Sequence, residues 1–185
     1  MTDDAELLRA YARRGDVASL SALVRRHAVW MQAMLRGMLR SPADADDAFQ
    51  ETWARVMKAA GSYRGGKVKS YLATVARSAA IDAMRRAGRF VPLDAADGER
   101  GESAAESVPD GSPDPGERFE SSATAEDVRA AVCELPEGQR QVVLMRIEAE
   151  MTFREIADSM GVPLGTALTW MHSATIALRK RLGGA

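Results

Sequence analysis

Cysteine is almost missing from this chain. Cys133 stands alone among 185 residues, which excludes an intrachain disulfide and a cysteine-rich zinc site. The two histidines, His27 and His172, are too far apart in sequence to complete a metal set with it. Aromatic residues make up only 5%, so the ten methionines are expected to share the work of filling the core. No apolar run approaches the ~18 residues of a membrane span. The start, Met1-Thr2-Asp3-Asp4, is acidic and carries no apolar signal segment, so a reducing, cytoplasmic location without membrane insertion is expected. Gly65-Gly66 lacks the flanking strand and downstream pattern of a phosphate loop, and no nucleophile–base–acid set is visible. These gaps point away from an enzyme and from any cofactor or metal. Neither sign of charge dominates: the net is −1 with a pI near 6.2. Taken whole, that argues against a free-standing nucleic-acid binder, which is usually basic.

What is present suffices for folding. Hydrophobic residues make up 46% and charged residues 28%, and the length suits one ordinary domain or two small ones. The charge divides sharply along the chain. Residues 1–95 carry +6, residues 96–125 carry −6, and residues 126–185 carry −1. The middle stretch has three prolines, many glycines and serines, and only Val108 and Phe119 as large apolar residues. It cannot bury enough surface to offset its ordering entropy, and we read it as a flexible acidic linker between two folded units.

Both flanking units read as helical, and no period-two stretch competes. In the first, Leu20, Leu23, Val24, His27, Met31, Met34, Leu35 and Met38 form one stripe of a long helix, with Gly37 inside it at some cost. Ser41 and Pro42 open a second helix bearing Ala45, Ala48, Phe49, Thr52, Trp53, Val56 and Met57 on one face. A third runs from about Lys69 to Arg86, with Leu72, Val75, Ala79 and Ala83 inward. In the second unit, Val128, Ala131, Val132 and Leu135 precede the breaker Pro136, and Val143, Leu144 and Ile147 face inward on the next helix. Thr152 and Glu155 have capping-box spacing, Gly161 ends the short helix they open, and a longer helix follows Pro163. Short helix, glycine turn and longer helix make a helix-turn-helix pattern.

Four stretches are recognisable in order. Asp44-Ala45-Asp46-Asp47-Ala48-Phe49-Gln50-Glu51 resembles the acidic DAEDxxQE motif of bacterial sigma factors. Tyr63-Arg64-Gly65, followed by Ser70-Tyr71-Leu72 and Ile81-Asp82 within one helix, resembles FRG…TWLxxIARNxAID. Leu135-Pro136-Glu137 with Arg140 is similar to LPExxR, and Phe153-Arg154-Glu155-Ile156-Ala157 with Gly165-Thr166 is similar to YxEIA…GTV. The two-unit layout resembles the extracytoplasmic-function group of that family. The resemblance implies an all-α protein of two small helical domains. Residues 1–95 would bind core polymerase and recognise and melt the minus-ten element, residues 96–125 would be the linker, and residues 126–185 a helix-turn-helix domain. No appended domain is expected after the last helix.

The residues themselves support part of this. Asp44, Asp47 and Glu51 recur at three- and four-residue steps opposite the apolar stripe, a face suited to a protein partner because phosphates would repel it. The resemblance assigns that face, with Asp46 and Gln50, to the clamp of the polymerase largest subunit. The next helix and its approach carry Arg64, Lys67, Lys69, Arg77, Arg85 and Arg86 beside Tyr71, Thr74 and Ser78. Cations neutralise phosphates and an aromatic ring can stack an unpaired base, which suits the melted promoter strand. The family usually has Trp at Tyr71 and often Asn at Ser78, and a hydroxyl offers less than a carboxamide.

The last helix departs further. The family's GTVKSRLHRAR is rich in cations, whereas no Lys or Arg occurs here between Arg154 and Arg179. Thr166, Thr169, Trp170 and Ser173 are the candidates for DNA contact at the minus-thirty-five element. With few phosphate anchors, either this unit grips DNA weakly or an exposed Trp170 and Leu168 serve a protein contact; both residues could equally pack inside. Further implied partners are the flap of the polymerase second-largest subunit, promoter DNA, and an anti-sigma protein covering the same faces. Two other readings remain: a stand-alone helix-turn-helix regulator, and a sigma-like module that sequesters a partner without driving transcription.

Overall fold

The computed structural model describes residues 3–89 and 124–183, and these are all-helical. The linker reading for 96–125 falls almost wholly outside them. The first unit comprises α1 (Asp4–Arg14), α2 (Val17–Met38), α3 (Pro42–Ala59), a short 3-10 turn (Ala60–Ser62) and α4 (Val68–Arg86). The second comprises α5 (Ala125–Cys133), α6 (Glu137–Ile147), α7 (Phe153–Met160) and α8 (Leu164–Leu182).

Local signals set the helix ends. Asp16 accepts a bond from the Ala18 N–H to open α2, and Ser41 accepts one from the Asp44 N–H to open α3, with Pro42 in its first turn. Each such cap contributes on the order of 1 kcal/mol. Thr124 with Asp127, and Thr152 with Glu155, form complete capping boxes at α5 and α7. Gly161 closes α7 at φ 69°, a left-handed conformation that costs a side-chain-free residue nothing.

The core of the first unit is built from Leu8, Leu23, Met31, Met34, Leu35, Val56 and Leu72, all fully buried, so methionine does fill the place of aromatics. Three residues of the expected apolar stripes are not inward: Met57 and Val128 are each 41% exposed and Ile147 is 61% exposed. Met57 lies at the edge of a stripe that stays buried through Val56 and Ala60, and Ile147 is the last residue of α6.

The two units pack together. One buried cluster runs through both, and α2 lies against α5 and α6. Gly37 explains the closeness: a Cβ there would stand 2.6 Å from a terminal methyl of Leu144. The glycine that weakens α2 locally is what lets α6 approach.

Candidate nucleic-acid interface

The loop before α4 is shaped by its glycines and one tyrosine. Gly65 and Gly66 have φ of 112° and 98°, and the Tyr63 hydroxyl donates to the Gly66 carbonyl at 2.6 Å. Tyr63 packs on Tyr71 with ring centroids 5.4 Å apart. Tyr71 is half-buried and its hydroxyl finds no partner among the described residues; burial raises its pKa. Arg64 donates to the Gly61 carbonyl at 3.3 Å and remains exposed, as does Lys67.

Along α4 the sequence-derived DNA set splits. Thr74, Ser78, Arg85 and Arg86 are exposed. The Thr74 hydroxyl bonds its own helix at the Ser70 carbonyl, 3.0 Å away, and Ser78 accepts from Arg55 at 3.2 Å. Arg55 also pairs with Glu51 at 2.7 Å and Asp82 at 2.9 Å, tying α3 to α4; these two carboxylates hold its pKa up.

Lys69 and Arg77 instead meet the second unit. Lys69 pairs with Glu150 at 2.9 Å and lies 5.4 Å from the Trp30 ring centroid. Ser70 donates to Glu155 at 2.9 Å. Arg77 donates to the Gln141 side-chain oxygen at 2.6 Å and to the Ser159 carbonyl at 3.0 Å. Its burial pulls the guanidinium pKa down, with Glu137 acting against that. Gln141 is fully buried and also donates to Glu137. Sequence reasoning did not single out Gln141, Glu150 or Ser159 and marked Glu155 only as a helix cap and motif residue, because only the packing of the two units brings them to α4.

The acidic face of α3 is open. Asp46, Asp47 and Gln50 are exposed; Asp44 pairs with Arg89 and Glu51 with Arg55. Asp46 reaches Arg36 only at 3.9 Å, between side chains more than half exposed, so that pair contributes little.

On α8, Trp170 is 4% exposed and cannot read a base; its ring covers Gly138, where a Cβ would sit 3.0 Å away. This corrects its place among the DNA contacts and settles the reading of Trp170 as an exposed protein contact in favour of internal packing. Leu168, Thr166 and Ser173 are half-buried and Thr169 is exposed. Between α5 and α8 lies an open groove of about 410 Å³, floored by Ala131, Leu135, Ala177 and Leu178 and rimmed by the Glu134–Arg181 ion pair.

His27 is a structural residue. Its Nδ1 accepts from Trp30 at 2.9 Å, so Nε2 carries the proton donated to Asp4 at 2.9 Å. Burial lowers its pKa, and Asp4 opposes the shift. Cys133 is half-buried. Among the described residues no cluster of His, Cys, Asp and Glu could hold a metal, and no helix is long and apolar enough to cross a membrane.

The comparisons agree with this layout. Residues 23–90 match the model for sigma-70 region 2, and residues 125–178 that for sigma-70 region 4. The chain is similar to the ECF RNA polymerase sigma factor SigE of Mycolicibacterium smegmatis, at 31% identity over 91% of this chain and 64% of the relative. It is also 31% identical to the RNA polymerase sigma factor CarQ of Myxococcus xanthus, over 92% of this chain and 93% of that one. SigM of Mycobacterium tuberculosis is 31% identical, covering 97% and 85%. In fold, the chain resembles CnrH solved with the cytosolic domain of CnrY, with a TM-score of 0.65, 20% identity and 98% of each chain covered. RpoE from Bartonella quintana, solved with the anti-sigma factor NepR, gives the same TM-score at 21% identity, covering 89% and 96%.

Proposed function

Because the chain belongs to the extracytoplasmic-function group of sigma-70 RNA polymerase sigma factors, which bind polymerase and DNA to direct promoter recognition and transcription initiation, we propose a role for each of its faces. The observation that carries the reading is the order of regions 2 and 4 on two separate helical units, one with an acidic face and a basic-aromatic face. Such a protein works by binding and is not an enzyme. We take the domains as 1–95 and 126–185 with 96–125 as the linker; the helix that opens the second unit runs Ala125–Cys133.

The α3 face, with Asp46, Asp47 and Gln50 foremost and Asp44 and Glu51 beside them, docks on a basic surface of the largest-subunit clamp. Arg64, Lys67, Lys69, Tyr71, Thr74, Arg77, Ser78, Arg85 and Arg86 line the path of the minus-ten strand. The α5–α8 groove, apolar with a charged rim, suits the flap of the second-largest subunit. Since Arg77 and Lys69 are engaged with α6, α7 and Glu150, the second unit must lift away before the strand can reach them. An anti-sigma protein that binds this chain would act by holding the faces covered; CnrH and RpoE were solved with CnrY and NepR respectively.

Reconstitution with core polymerase on a promoter library tests the reading. The full chain should give specific initiation, and Asp46→Lys with Asp47→Lys should abolish polymerase binding while leaving the fold intact. Sound folding and polymerase binding without initiation at any promoter would favour the sequestering module instead, and promoter-specific binding by the free chain without polymerase would favour the stand-alone regulator.

A further inference from the structure

The outward stripe of α8 is uncharged for most of its length. Thr169, His172 and Ile176 follow one another at three- and four-residue steps, opposite the buried Ala167, Trp170 and Ala174. Ile176 is 54% exposed and Leu164, at the helix start, 37%. Exposed aliphatic groups on the face of α8 turned away from α5, α6 and α7 bury nothing within this unit.

The hydroxyls on this helix are already committed. Thr169 donates to the Gly165 carbonyl at 2.9 Å, and Thr175 to the Met171 carbonyl at 2.8 Å. Each threonine has spent its one donor inside the helix, so what Thr169 offers outward is its methyl group and a weak acceptor. Cations arrive only at Arg179 and Lys180, about 15 Å along the axis from Thr169 at ~1.5 Å per residue. The central turns of the outward face therefore carry no cation and are left to apolar contact.

Resting on the assignment of this unit to minus-thirty-five recognition, we infer that Thr169 and Ile176 read thymine C5-methyl groups in the major groove. His172, between them, supplies an exposed ring nitrogen able to donate to a base edge. The major groove presents a methyl only at thymine, so methyl-lined contact discriminates T·A from every other pair in one orientation. The specificity is therefore for a thymine-bearing element, chosen by shape and burial instead of by cationic bonds to guanine.

The test uses the full chain with core polymerase. Promoters are first selected from a library randomised at the minus-thirty-five positions. Thymine should be enriched at positions matching the spacing of Thr169 and Ile176, about two turns of α8 or roughly 10 Å apart. Replacing those thymines by deoxyuridine removes only the methyl and should lower initiation at limiting holoenzyme about fourfold per site, the factor that about 0.8 kcal/mol per buried methyl gives. Ile176→Ala should lower initiation on the thymine template and make one uracil replacement silent, whereas Ile176→Val should retain most of the effect. Selection of guanine-rich or unpreferred elements, or full activity on uracil templates, overturns the inference while leaving the sigma-factor role standing. No initiation from any promoter would overturn that role itself, and the inference with it.

Discussion

Arg77→Ala removes one side chain and should loosen the grip between the two units. Its guanidinium makes two bonds across the interface, at 2.6 Å to Gln141 and 3.0 Å to the Ser159 carbonyl. Hydrogen bonds to charged groups contribute about 1.5–3 kcal/mol each. Against them stands the cost of drying a cation, which several kcal/mol can match, and the lowered pKa of Arg77 shows that this cost is felt. The two effects largely offset each other, but the alanine variant does not return to zero. It leaves the oxygen of Gln141, a residue with no exposed surface, unpaired, at about 1–3 kcal/mol. The docked state should weaken by that amount, raising the open population about 5–150-fold. Small-angle scattering of the free chain reads the opening as a larger radius of gyration. Amide exchange in α6 and α7 reads it as lost protection, with the exposed Arg154→Ala as control. If Arg77→Ala changes neither observable, the bonds do not hold the units together. If Arg77→Met docks more tightly than the wild type, desolvation outweighs the bonds and the sign of the reasoning is wrong.

Three further outcomes follow from the same geometry. His27 has a folded pKa below its unfolded value of about 6.5, so its contribution is present above that value and lost as pH falls through the folded pKa; urea unfolding should show the wild type losing more stability than His27→Gln between about pH 7.5 and about pH 5.5. Trp170→Ala should cost about 3–5 kcal/mol, seen in thermal unfolding of the second unit, because it empties the space over Gly138. Gly138→Ala should lower the melting temperature in the same assay despite the roughly 0.5–1 kcal/mol that Ala gains over Gly inside a helix, since its methyl meets the Trp170 ring at 3.0 Å; a raised melting temperature would mean the ring gives way.

The helices of both units were legible because their buried residues keep helical spacing and their ends carry caps. Ser41-Pro42, Thr152 with Glu155, and Gly161 each do in the structure what their chemistry suggests. Helix α1 escaped notice: its buried Ala5, Leu7 and Leu8 lie in a run of acidic and basic residues, though the left-handed Gly15 after Arg14 was an available stop signal. Gly37 read only as a weakness, since its benefit is contact with Leu144 more than one hundred residues later. The same limit applies to the candidate site. Charge and spacing identified Lys69 and Arg77 as exposed cations, but spacing along α4 carries no information about α6 or α7. Trp170 was misplaced for a related reason: its burial depends on Gly138, which reads as an ordinary helix residue until the two helices cross.

Arg77 also bears on how this sequence can change over generations. A side chain answering to two surfaces is held by both, so a substitution that suits one is filtered by the other. Gln141, whose side chain is the acceptor, should drift only in step with position 77. Ser159 lends only its backbone carbonyl, so the bond sets no demand on its side chain, and the burial of its unpartnered hydroxyl alone decides what can stand there.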